Sequence, residues 1–154
     1  YTHGTPFRRA MEEGLLDPSR TIQIGIRGAQ NSEESWRGSE DAGIRVVYME
    51  EFTSLGVEAT LQEAERVVGE GPTYVSFDID SIDPAFAPGT GTPEIGGLTT
   101  IQAQALIRGL ADLSLIGGDV VEVSPPFDPT GTTALVGATM LYELACVLAA
   151  ARMT

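Results

Sequence analysis

Residues 73–80 read Thr73-Tyr74-Val75-Ser76-Phe77-Asp78-Ile79-Asp80, and residues 84–97 follow as PAFAPGTGTPEIGG. The first stretch is rich in β-branched and aromatic residues and predicts a strand. The second carries too much glycine and proline for a helix or a strand and predicts an ordered loop. In an open parallel sheet, ligands sit beyond the carboxyl ends of the strands. An apolar strand that finishes in two carboxylates at the mouth of such a loop is therefore the first place to look for chemistry.

On the amino-terminal side, residues 6–13 predict a short helix, and residues 21–26 (TIQIGI) predict a strand that ends at Arg27-Gly28. Residues 45–49 (RVVYM) predict another strand. Residues 58–68 place Leu61, Ala64, Glu65 and Val68 at helical spacing before Gly69 and Gly71 stop the helix. On the carboxyl side, Thr99 with Gln102 forms a capping-box pattern that starts a helix with Ala103, Leu106, Ile107 and Leu110 on its apolar face. Residues 119–123 (DVVEV) predict a fourth strand. Residues 134–151 predict a long helix with Leu135, Ala138, Leu141, Ala145 and Leu148 on one side. Strands alternating with helices predict an α/β fold with a mostly parallel sheet and helices on its faces. No fixed-period repeat or linker divides the chain, so one compact unit is expected.

Within this frame, the strand period of two points Asp78 and Asp80 to one side. Two carboxylates held that close repel unless a cation lies between them, and oxygen ligands suit manganese, magnesium or calcium. The other reading is that one of them only closes a turn, as Asp83 before Pro84 is expected to do. Glu122 stands among valines in the fourth predicted strand, where a charge is costly unless paired. It either pairs with an arginine such as Arg27 or Arg108, or receives a cationic ligand; a guanidinium matches a carboxylate in two parallel hydrogen bonds. His3, in Thr2-His3-Gly4-Thr5-Pro6, is the one histidine. It reads as a surface residue, a metal ligand, an acid/base group or a phosphate contact. No P-loop, GxSxG elbow, HExxH pair or strand-to-helix GxGxxG is present.

Bulk properties narrow the partners. The 154 residues include 22 acidic and 9 basic side chains, a net charge of −13, which argues against nucleic acid and anionic membrane and permits a cationic small substrate. Aromatic residues are few and not interleaved with basic ones. The single cysteine, Cys146, excludes an internal disulfide and suits a reducing, cytoplasmic setting; its apolar surroundings predict a buried thiol. The apolar run at residues 144–151 is far shorter than a membrane span, so a soluble protein is expected, and no targeting leader is seen.

The run from Ser76 through Asp78, Asp80, Asp83 and Pro84 to Gly89-Thr90-Gly91-Thr92-Pro93 resembles the metal-binding signature of the arginase and agmatinase family, the ureohydrolases. His3-Gly4-Thr5-Pro6-Phe7-Arg8 resembles that family's substrate-loop histidine segment, and Val121-Glu122-Val123-Ser124-Pro125-Pro126 its guanidinium-binding strand end. The resemblance covers essentially the whole chain and leans to the agmatinase-like branch. It implies a three-layer α/β/α fold and two manganese ions, with Asp78 bridging both and Asp80 binding one. It also implies that Glu122 and Thr92 hold the guanidinium, that His3 passes a proton to the leaving amine, and that the products are urea and an amine. Agmatine and guanidinobutyrate are the substrates expected, and a homo-oligomer the expected state.

The family's other metal ligands, in a Gly-Gly-Asp-His type segment and an Asp-Ala-His-x-Asp cluster, have no counterpart here. Residues 1–154 are accordingly expected to be the carboxy-terminal portion of a single ureohydrolase domain, with an open sheet edge and a tendency to self-associate. Two rival readings stand beside this one. One is a catalytically incomplete fragment that only binds a guanidinium compound or serves assembly. The other is an α/β domain in which Asp78 and Glu122 are internal structural charges.

Overall fold

The computed structural model describes residues 4–29 and 33–151, with only the backbone of residues 33–36. The elements in order are α1 (Pro6–Glu12), β1 (Ile22–Ile26), α2 (Glu33–Asp41), β2 (Arg45–Tyr48), α3 (Met49–Val68), β3 (Thr73–Asp78), α4 (Thr100–Gly109), β4 (Leu115–Val121) and α5 (Thr132–Ala151). β1 pairs in parallel with β2, and β3 in parallel with β4, where Asp78 lies opposite Val121. Each pair is joined through a helix, as parallel neighbours require. The result is the expected α/β fold, drawn as two separate two-stranded ladders rather than one continuous sheet.

A common core unites them. Val47 and Phe52 come from the β2–α3 side, Ile79, Ile82 and Leu98 from the β3 loop, Ala103 and Ile107 from α4, and Met140 and Leu144 from α5. The capping box forms as read: Thr99 accepts from the Gln102 amide, and the Gln102 side chain accepts from the Thr99 amide. Of the α4 face expected to be buried, Ala103, Leu106 and Ile107 are in the core and Leu110 packs against it.

Three sequence expectations are corrected. α3 begins at Met49, nine residues earlier than residue 58, with a break at Gly56 (φ 75°, ψ 178°). The polar start MEEF carries its acidic residues where a helix N-terminus favours them, but too few apolar ones to show a stripe. α2 was not anticipated, because EESWRGSED has Trp36 as its one large apolar residue. β4 starts four residues before Asp119 and ends at Val121, which leaves Glu122 just outside it. Its start is hidden by Gly117-Gly118, yet Gly118 is there for contact: a Cβ on it would lie 2.6 Å from Leu144 Cδ2 and 2.8 Å from the Val75 carbonyl.

The long helix turns a different face inward from the one its spacing suggested. Thr133, Gly137, Met140, Leu144 and Val147 are buried in α5, whereas of the expected face Leu135, Ala138, Leu141 and Ala145 are exposed and Leu148 alone packs against the core. Nearly every residue of α5 is apolar, so periodicity could not choose; the small Thr133 and Gly137 allow close approach and decide it. Cys146 lies on the outward face and is exposed, against the expected buried thiol. α5 is also long and apolar enough to cross a membrane by length and composition, although a run of residues 144–151 alone is not. Core contacts account for its inward residues Met140, Leu144 and Val147, whereas Leu135, Leu141 and Tyr142 stay exposed.

Candidate functional site

β3 and β4 run in the same direction, so Asp78 closes β3 beside the point where β4 gives way to Glu122. Asp80 is not on the strand. Residues Ile79–Ser81 form one 3-10 turn, and Asp78 Oδ1 caps it by accepting from the Asp80 amide at 3.0 Å. The turn, rather than a strand period of two, brings the carboxylates together. Asp78 thus closes a turn with one oxygen and still faces a second acid. Asp83 closes a turn as expected, accepting from Ala85 N with one oxygen and from Gly96 N and Gly97 N with the other.

Thr92 is brought to the same place, donating its hydroxyl to Asp80 Oδ2 at 2.7 Å. The loop that carries it is tied to the loop after β4, through a bridge between Thr90 and Val123 and a bond from Ser124 N to the Gly89 carbonyl at 2.8 Å. Below these, the buried Asp128 caps α5 by accepting from Thr133 N and Ala134 N, and Thr133 Oγ1 accepts from Gly89 N. Helix, loop and strand end are therefore one hydrogen-bonded block.

Glu122 adopts φ 64°, the left-handed region, as a non-glycine residue. Such a conformation costs roughly 1–3 kcal/mol and persists where the surroundings impose it, often at functional sites. Neither proposed arginine reaches it. Arg108 is paired to Glu143, with Nε 2.8 Å from Oε2, and Arg27 donates to main-chain carbonyls. Among the described residues, no ion pair or hydrogen bond engages the Glu122 carboxylate.

The electrostatics follow from this crowding. Burial pushes the Asp78 carboxyl up to about 7, the negative charges of Asp80 and Glu122 push the same way, and the Asp80 amide partly opposes them. A carboxylate that burial and two acids all disfavour is a fitting ligand for a cation, and its oxygens suit a hard or borderline divalent ion. The fit is partial. Among the described residues, no group of three or more histidine, cysteine or acidic side chains is arranged to hold a metal ion. Asp78 and Asp80 could supply at most part of a coordination shell. His3 lies outside the described residues.

Comparison with known proteins identifies the family. Residues 1–146 match the model of the arginase family. The chain is 71% identical over 149 residues to guanidinopropionase of Pseudomonas aeruginosa, a match spanning 97% of this chain and 47% of that protein. The structure superimposes on proclavaminate amidino hydrolase from Streptomyces clavuligerus with a TM-score of 0.92 at 46% identity, over 98% of this chain and 50% of the other. Formiminoglutamase of Trypanosoma cruzi, solved with manganese, gives a TM-score of 0.83 at 26% identity over 95% of this chain and 49% of the other. The chain spans about half the length of these relatives. Sequence and fold agree: this chain belongs to the arginase family.

Proposed function

We propose that the chain forms the guanidino-binding side, and part of the metal-binding side, of a manganese-dependent amidinohydrolase that converts a short linear guanidino compound into urea and an amine. The observation that carries this reading is Glu122: a residue in the left-handed region whose carboxylate has no ion pair or hydrogen bond among the described residues, set beside the half-buried Asp78 at the strand ends. A planar guanidinium supplies what that carboxylate lacks, two parallel donors and a positive charge. Kinship with a guanidinopropionase favours a guanidino acid over agmatine.

Asp78 and Asp80 would hold manganese, together with ligands from elsewhere in the protein. When bound, the metal supplies the Lewis acid that lets water attack the guanidino carbon at neutral pH. Thr92 orients Asp80 through its donated hydrogen bond and keeps oxygen lone pairs free to accept from a guanidinium N–H. Glu122 holds the substrate carbon over the acids. The C–N bond to the alkyl nitrogen breaks, water contributes the urea oxygen, and the departing amine takes a proton that this reading assigns to His3. The protein acts as a homo-oligomer in this reading.

Urea release from 3-guanidinopropionate, 4-guanidinobutyrate and agmatine, alongside equilibrium manganese binding, tests the proposal. Urea should form faster from the guanidino acids and be lost in Glu122→Gln while manganese still binds. Full activity in Glu122→Gln would sink the assignment. Because the described residues hold an incomplete ligand group, a second outcome has a definite meaning. Binding of guanidinopropionate with neither manganese nor urea would make the 154-residue chain a guanidinium-binding fragment.

A further inference from the structure

Arg27 follows β1 at the same end of the molecule as the acids, half-buried, with its guanidinium spent on main-chain oxygens. Nη2 donates to the Asp80 carbonyl at 2.7 Å and to the Glu94 carbonyl at 2.6 Å. Nε donates to the Ile95 carbonyl at 3.2 Å and Nη1 to that of Gly25 at 3.2 Å. One side chain thus joins the end of β1, the turn that carries Asp80, and the stretch just past Thr92. Among the described residues it forms no salt bridge with a carboxylate; the Asp83 carboxyl is held low first by the Ala85 amide and then by those of Gly96 and Gly97, with the Arg27 charge adding to them.

We propose that Arg27 is a positioning residue of the site. By fixing the main chain at residue 80 and at residues 94–95, it sets the spacing across which Thr92 bonds to Asp80. Through that spacing it sets how tightly the site takes manganese and the guanidino substrate. The inference rests on the function proposed above, but its geometric part does not.

The surroundings are built for this contact. A Cβ at Gly97 would lie 2.7 Å from Arg27 Nη2 and 2.6 Å from Asp83 N, so only a bare backbone lets the loop close over the guanidinium. Asp83 accepts from Gly96 and Gly97 on the same stretch, so an arginine and an aspartate clamp it together. A planar fork can serve several carbonyls at fixed angles, whereas a lysine ammonium keeps the charge but cannot reproduce the fork. Arg27→Lys therefore separates position from charge.

The test compares Arg27→Lys, Thr92→Val and the double variant with wild type. In Arg27→Lys, amide hydrogen exchange at Gly96 and Gly97 should rise at least about tenfold while α4 and α5 keep their protection. Manganese affinity, read from the free Mn(II) resonance signal, should fall by about 10–100-fold. KM for 3-guanidinopropionate should rise, with most of kcat restored by excess manganese. The manganese effects of the two single variants should be less than additive, since both act through Asp80. Unchanged exchange at Gly96 and Gly97 overturns the clamp, whether or not wild type binds manganese. A loosened loop with wild-type manganese affinity, or fully additive effects, overturns the link to the site. If wild type itself neither binds manganese nor releases urea, the functional reading fails, and the exchange result still decides the clamp.

Discussion

Glu122 shows how much one residue can reveal. Its φ of 64° is unfavourable for any side chain with a Cβ, and nothing among the described residues neutralises its charge. Replacing it by glycine and by alanine separates the two costs. Both variants lose the carboxylate and should lose urea release, but glycine should be more stable than alanine by about 1 kcal/mol in urea unfolding, since only alanine keeps the left-handed penalty. Equal stabilities would show that the backbone relaxes freely and that the conformation carries no strain. Asp78, Asp80 and Glu122 were legible in the sequence from their residue types and positions, and Thr92 only through the family resemblance. Their geometry was not: Asp80 sits in a turn, Thr92 is bonded to Asp80, and Glu122 has left the strand. The role of Arg27 was hidden because its partners are carbonyl oxygens, which every residue carries and no sequence pattern marks.

At the scale of elements, local chemistry is read well and packing is read poorly. The Thr99–Gln102 box depends on neighbours three positions apart and formed as expected. The α5 face depends on what lies across from it, and was misplaced. Ion pairs that join elements are likewise visible only in the fold. Arg45 of β2 is paired to Glu51 before the break in α3 and to Glu63 after it, and Glu63 also accepts from Arg66. Hydrogen bonds from Arg66 and Arg45 hold the Glu63 carboxyl down to about 2, below its ordinary 4.5. A depressed acid stabilises the fold above its unfolded pKa, and the contribution disappears as pH falls through the folded value. Thermal melts of wild type and Glu63→Gln should therefore converge between pH 4.5 and about 2, with wild type the more stable above that window. A constant gap down to pH 2 would mean that the network contributes through packing alone.

For the whole molecule, the surface that remains is the informative feature. The outward side of α5 exposes Leu135, Leu141 and Tyr142, at 68%, 50% and 70%, along a line of alanines, and among the described residues the two ladders leave strand edges unpaired. Contiguous apolar surface of this kind favours association. The 154-residue chain should sediment as a concentration-dependent oligomer, and Leu141→Lys should shift it toward monomer; a wild-type monomer at tens of micromolar would refute this. The sequence by itself determined the α/β alternation and the Thr99–Gln102 cap, because local propensity and spacing set them, and singled out Asp78, Asp80 and Glu122 by residue type; Thr92 entered only through the family resemblance. Tertiary structure alone decided which face of α5 is buried, which acid leaves its strand and what Arg27 holds, because those outcomes depend on atoms brought together from distant parts of the chain.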